Sequence, residues 1–178
     1  MSSKTIRVAL GGVGGVCAQV HYPGFSRIPG VEIVGICDPD ASLREKRSME
    51  WGVQACFEDV DDLLREMKPD AVVIATPNCT HKSMILKAFV AGSHVLCEKP
   101  LGMNLQETKE ILEAAQKTKL WHMTAFTYRF VPAMNYLRYL VHSGALGEIR
   151  HARFQRLQDW GERAIGWRQY YEQAVYGY

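Results

Sequence analysis

The chain predicts an α/β fold built on a doubly wound parallel sheet. Two observations carry that expectation. Short β-branched runs alternate along the sequence with amphipathic stretches of helical period, the pattern of parallel strands covered by helices on both faces. In addition, 178 residues with 47% hydrophobic and 22% charged side chains supply one core of ordinary size and a remainder too short for a second.

In chain order, Ile6–Leu10, Val31–Cys37, Ala71–Ala75, Val95–Cys97 and Met123–Phe126 read as buried strands, with a weaker one over Gln54–Phe57. Between them Ser42–Trp51, Val60–Met67, Thr80–Ala91 and Leu105–Thr118 read as helices, the last with Leu105, Ile111, Leu112 and Ala115 near helical spacing. Pro69 and Gly92 close two of these. Right-handed crossovers then wind the sheet so that ligands collect beyond the carboxyl ends of its strands. After Phe126 a Pro-started helix, Pro132–His142, leads through Gly144-Ala145-Leu146-Gly147 into an extended run, Glu148–Leu157, where a second unit begins.

Composition excludes several function classes. The net charge is +2, and its small excess of cations lies towards the C-terminal end at Arg150, Arg153, Arg156, Arg163 and Arg168, a polar face rather than a nucleic-acid footprint. No stretch approaches the roughly 20 apolar residues of a spanning helix and no signal-peptide core follows Met1, so the chain reads as cytoplasmic, without a membrane partner. The five cysteines, Cys17, Cys37, Cys56, Cys79 and Cys97, form no C-x-x-C pair and have no histidine at ligand spacing. They read as small buried residues, so no metal site and no disulfide framework is expected.

The residues with chemistry gather at strand ends. After the first strand, Gly12-x-Gly14-x-x-Cys17 opens a helix. Glycines there let a pyrophosphate approach free backbone N–H groups at the helix start, the Rossmann arrangement. Cys17 stands where a third Gly or Ala is usual, and a G-x-G alone is equally well a flexible turn. Asp38 ends the second strand about 20 residues further on, the position of a carboxylate that accepts hydrogen bonds from an adenosine ribose. A carboxylate there repels a 2′-phosphate, which favours NAD over NADP, although Arg44, Lys46 and Arg47 reach a phosphate if their helix leans inward. Thr76-Pro77-Asn78-Cys79-Thr80-His81 and Glu98-Lys99-Pro100 end two further strands. On spacing alone the first is a helix cap by Asn78 or Thr80, and Glu98 and Lys99 a surface ion pair.

Taken together in this order, Gly12-x-Gly14, Asp38, Thr76-Pro77-Asn78-x-x-His81 and Glu98-Lys99-Pro100 resemble the glucose-fructose oxidoreductase/inositol dehydrogenase (Gfo/Idh/MocA) family. Tyr128-Arg129-Phe130-x-Pro132-Ala133, Gly144-x-x-Gly147-Glu148-Ile149, Leu157-Gln158-Asp159-Trp160 and Gly166-Trp167-Arg168 are similar to later family segments. The resemblance implies hydride transfer between a nicotinamide and a hydroxyl or carbonyl carbon of a sugar or inositol. By position it places Gly12 and Gly14 on the pyrophosphate, with Val13, Gly15 and Val16 completing that loop, and Asp38 on the ribose. It places Thr76, Pro77, Asn78 and His81 on the nicotinamide side and Lys99 on the reacting substrate oxygen. Glu98 and Pro100 fix that lysine, and Trp167 and Arg168 wall the nicotinamide.

The resemblance also implies more chain than is present, because family members continue past Trp-Arg into a Gly-rich turn, an Asp-x-x-x-His motif and a large substrate domain. The expectation is therefore a cofactor domain at 1–126 and, at 127–178, a connecting helix with the truncated start of an α+β substrate domain. The five histidines other than His81, namely His21, His94, His122, His142 and His151, read as packed or surface imidazoles rather than as replacements for the missing base. The sequence leaves two rivals: a noncatalytic NAD-binding module or partner subunit, and a fragment whose exposed strand over Glu148–Leu157 draws copies into a homo-oligomer.

Overall fold

A computed structural model of the chain describes residues 4–155, 157, 170 and 172–174. Six parallel strands form one sheet in the order β3-β2-β1-β4-β5-β6: β1 Ile6–Gly11, β2 Val31–Cys37, β3 Cys56–Phe57, β4 Ala71–Ile74, β5 His94–Cys97 and β6 His122–Thr124. β1 pairs with β2 on one side and β4 on the other, and the order reverses between β1 and β4, so the loops leaving these two strands diverge and open a crevice at the carboxyl edge. In β1 the register against β2 shifts between Val8 and Ala9, the one irregularity in a ladder that otherwise runs from Ile6–Val31 to Gly11–Cys37.

Alternation along the strands builds two cores. Ala9, Val72, Ile74, Val95 and Cys97 point to one face and pack under α3 (Val60–Met67), α4 (Asn78–Val90) and α5 (Leu105–Lys117), where Leu63, Ile85 and Ala88 are fully enclosed. Val8, Leu10, Ile36 and Val73 point to the other face, against the helix that follows the glycines and α2 (Ala41–Trp51). The chain folds this way locally because each helix start is fixed: Asp40, Asp59 and Asn104 accept backbone N–H groups of Leu43, Asp61 and Glu107 as N-caps of α2, α3 and α5.

Three expectations are corrected. The helix α4 starts at Asn78, two residues early, because Pro77 in extended geometry serves as its cap; neither Asn78 nor Thr80 caps it through a side chain. The helix after the glycines is not regular: it covers residues 15–25, with Cys17–His21 wound as a π-helical turn before α1, Tyr22–Phe25. Residues 148–155 and 157 form no strand, since each is exposed and no ladder partner lies beside them among the described residues. Ahead of them the helix α6 (Pro132–His142) matches its expected ends and leaves Met134, Tyr136, Leu137, Tyr139 and Val141 exposed.

The sheet is pinned at its amino edge by Asp70, which accepts the Arg7 backbone N–H and the Lys4 ammonium, both at 2.9 Å. The Arg7 N–H first, and then Lys4, hold the Asp70 carboxyl below its ordinary value. A folded-state value below the unfolded one adds stability above about pH 4 and loses it as the pH falls through the folded value. Chemical denaturation should therefore show wild type more stable than Asp70→Asn at neutral pH, with the two converging under acid. A constant difference at all pH values would remove this carboxylate from the linkage.

Candidate active site

The glycine loop is set by backbone geometry that a side chain would break. Gly12 adopts φ +79°, and a Cβ there would lie 2.7 Å from the Ala75 carbonyl group and 2.8 Å from Thr76 Cγ2. Its N–H donates to the Cys37 carbonyl at 2.7 Å, and the Ala75 N–H donates to the Gly11 carbonyl at 2.8 Å, so the loop is sewn to β2 on one side and β4 on the other. At Gly14 and Gly15 an added Cβ would meet nothing within 4 Å. The loop therefore turns sharply at Gly12 and then presents open, side-chain-free backbone at the helix start, a cradle that fits a pyrophosphate.

Asp38 stands at the carboxyl end of β2 and reaches that loop. Its Oδ2 accepts the Val13 N–H and its Oδ1 the Asp40 N–H, both at 3.0 Å. A carboxylate has about four acceptor positions, so these two bonds orient it and leave capacity for ribose hydroxyls. The α2 arginines do lean inward: Arg44 Nη1 donates to the Asp38 carbonyl at 2.5 Å and Arg47 Nε to the Val13 carbonyl at 3.2 Å. Arg47 also lies over the Trp51 ring, which stacks on Tyr22 at 4.2 Å. The inward lean that the sequence left conditional is thus met by Arg44 and Arg47, although both reach backbone carbonyls rather than open space.

Across the crevice, Asn78 is only 6% exposed and its side-chain amide has no hydrogen-bond partner among the described residues. No buried side-chain polar atom lacks a partner among the described residues, so the amide end of Asn78 opens to the crevice and is free to meet a ligand there. Thr80 Oγ1 lies 2.6 Å from Thr76 Oγ1 and 2.8 Å from the Pro77 carbonyl, which stiffens the turn that carries Asn78. His81 sits elsewhere than expected: its ring is fully buried, with Nδ1 2.8 Å from the Pro100 carbonyl oxygen and Nε2 3.0 Å from that of Thr76. A ring without exposed surface offers nothing to a cofactor, so the structure makes His81 a tie between the β4 and β5 loops.

Lys99 is exposed just past the end of β5, and among the described residues its ammonium has no partner. The expected surface ion pair with Glu98 is absent, and Glu98 meets a histidine instead. Glu98 Oε1 lies 2.9 Å from His21 Nε2, with the two side chains only 14% and 6% exposed. Burial raises the Glu98 carboxyl, but His21 and the Lys99 N–H outweigh it and hold the carboxyl below its usual value. His21, which the sequence offers only as a packed imidazole, thus belongs to the site. The signal for it was faint, a lone histidine soon after the glycines.

Elsewhere, Cys79 is exposed while Cys17, Cys37 and Cys97 are buried, and desolvation pushes the Cys17 and Cys37 thiols up to about 12, which makes them poor nucleophiles. Trp167 and Arg168 lie outside the described residues. Among the described residues no helix is long and apolar enough to cross a membrane.

Comparison with known proteins agrees with this geometry. Residues 6–126 match the Gfo/Idh/MocA family, described as an oxidoreductase family with an NAD-binding Rossmann fold. The chain is 34% identical over 149 residues to a D-glucoside 3-dehydrogenase of Escherichia coli (strain K12), covering 84% of this chain and 42% of that protein. It is 34% identical over 148 residues to an inositol 2-dehydrogenase of Corynebacterium glutamicum, covering 83% and 44%. Among solved structures, scyllo-inositol dehydrogenase from Lactobacillus casei with bound NAD(H) and scyllo-inositol superimposes with TM-score 0.76 at 28% identity, covering 82% of this chain and 43% of that one. A 3-ketoreductase from Actinomadura kijaniata in complex with NADP superimposes with TM-score 0.75 at 26% identity, covering 83% and 45%. The chain spans less than half the length of these relatives. With its glycine loop, Asp38, Thr76-Pro77-Asn78 turn and Glu98-Lys99-Pro100 segment on one sheet edge, and with more than half of its residues matched, the chain belongs to the Gfo/Idh/MocA oxidoreductase family.

Proposed function

We propose that this chain is the cofactor-binding half of an NAD-dependent dehydrogenase that moves hydride between nicotinamide and a hydroxyl or carbonyl carbon of a sugar or inositol. The observation that carries the reading is the convergence of Gly12–Gly15, Asn78 and Lys99 at the carboxyl ends of β1, β4 and β5, across the reversal of strand order. Residues 1–126 form the cofactor domain, and 127–178 supply a connecting helix and the start of a substrate domain. The exposed apolar residues of α6 support that division, since such a face is complete only when something packs on it.

In this reading Gly12, Val13, Gly14, Gly15 and Val16 hold the pyrophosphate, Asp38 the adenosine ribose, and Thr76, Pro77 and Asn78 the nicotinamide side. When bound, the nicotinamide gives or takes the hydride. Lys99 contributes a positive charge at the oxygen of the reacting carbon, which steadies negative charge as the hydroxyl proton leaves; a relay through it releases one of the ammonium's own protons to water and takes up the hydroxyl proton in its place. The names of the relatives above, which act on glucosides and inositols, support a cyclic polyol as substrate.

Asp38 decides the cofactor. Its carboxylate accepts ribose hydroxyls and repels a 2′-phosphate at close range, while Arg44 and Arg47 each direct a donor to a backbone carbonyl and Arg47 a second to Glu50. Calorimetric titration should show NAD bound more tightly than NADP. Asp38→Ala should weaken NAD about tenfold or more, the usual worth of charge-assisted hydrogen bonds. Equal NAD affinity in both proteins would take Asp38 out of the site, and tighter NADP binding by wild type would reverse the assignment.

A further inference from the structure

We propose that His21 and His81 are positioning residues that brace Lys99 from the two walls of the crevice. The inference rests on the reading of Lys99 as the group that meets the substrate oxygen, and adds how that group is held.

Lys99 has a flexible four-carbon stem, so the precision of its ammonium depends on how firmly its backbone is fixed. Both neighbours of Lys99 are tied by a buried imidazole. On one side His21 Nε2 donates to Glu98 Oε1 at 2.9 Å, and Glu98 Oε2 accepts the Lys99 N–H at 3.3 Å. On the other side the His81 ring, fully buried, lies 2.8 Å from the Pro100 carbonyl. The Glu98 N–H also donates to the Ile74 carbonyl at 2.8 Å, which anchors the same segment to β4.

The two imidazoles come from different elements. His21 ends the π-helical turn that follows the glycine loop, and His81 lies on α4, directly after the Asn78 turn. A π turn inserts an extra residue into a helical repeat, which rotates the residue after it relative to a regular helix, and such turns recur at functional sites. Here the residue at its end is the one aimed inward at Glu98. A lysine held to both the pyrophosphate wall and the nicotinamide wall keeps its place relative to a dinucleotide that spans them.

The test reads Lys99 directly. The 178-residue chain is acetylated with a limiting activated ester, and the rate at each lysine is obtained by mass spectrometry, with Lys109 and Lys119 as internal references. His21→Leu keeps bulk and removes the donor to Glu98. Its Lys99 rate relative to the references should change by at least about twofold, the lower end for residues coupled in one hydrogen-bond network. His21→Gln, whose amide nitrogen reaches where Nε2 lies, should restore the wild-type ratio. A ratio unchanged in a folded His21→Leu chain would overturn the brace. Should His21→Leu not fold, Glu98→Gln is read the same way: a changed ratio is expected and an unchanged one overturns the proposal. Failure of the catalytic reading looks different, since turnover that survives Lys99→Met removes the catalytic role without altering the labelling ratios.

Discussion

A Gly12→Val chain is expected to lose about 3 kcal/mol of stability or more and to bind no measurable NAD. The valine Cβ would lie 2.7 Å from the Ala75 backbone carbon and oxygen, in a conformation at φ +79° that β-branched residues rarely adopt. The clash is with backbone rather than with a side-chain tip, so relief requires β1 and β4 to part where their ladder ends. Overpacking of a tight site typically costs 1–3 kcal/mol, and the unfavourable φ adds about 1 kcal/mol or more. Gly14→Val separates folding from binding, because its added atoms enter open space beside the helix start. Thermal unfolding should show Gly12→Val far below wild type and Gly14→Val close to it, while calorimetry shows both deficient in NAD binding. Wild-type NAD affinity in Gly14→Val would mean that the pyrophosphate lies elsewhere.

The contrast between these two glycines also shows how far the sequence is legible. Both belong to one G-x-G motif, and the motif predicts a ligand loop, but only three-dimensional contact distinguishes the glycine demanded by Ala75 from the glycine that leaves room. Elements with strong periodicity were readable to their ends: α3 at Val60–Met67, α6 at Pro132–His142 and β2 at Val31–Cys37. These segments carry their own caps, breakers or β-branched-rich runs, so local chemistry settles their limits.

What escaped was set by distant partners. The π-helical turn at Cys17–His21 has no breaker residue to announce it, and its inward histidine bonds Glu98, 77 positions away. Asn78 and Cys79 read as turn residues after Pro77, yet Pro77 in extended geometry caps α4 and they form its first turn. The run over Glu148–Leu157 reads as extended, but a strand exists only beside an edge, and the run cannot supply its own neighbour. His81 carries its motif position correctly and its role differently, because motif spacing places a residue near a site without saying which way its ring turns.

On any sugar or inositol that the protein oxidises, Lys99→Met should lower kcat by about 100-fold to 10,000-fold, the range for removing an acid–base or charge-stabilising group. NAD affinity should change by less than about threefold, because an exposed ammonium interacts only modestly with a dinucleotide through solvent. The methionine stem approximates the lysine stem, so the loss reports the charge rather than packing. Lys99→Arg divides the two duties of the group: it keeps a cation near the developing alkoxide but holds its proton too tightly to relay it. If charge dominates, arginine recovers much of the lost rate; if proton relay dominates, arginine is as slow as methionine. The backbone at this position is tied through Glu98 and Pro100, so neither substitution should move the glycine loop or Asn78. Unfolding midpoints close to wild type are therefore expected for both variants. Turnover by Lys99→Met at the wild-type rate, with NADH formation followed by absorbance across a panel of inositols and monosaccharides, would exclude Lys99 from the chemistry.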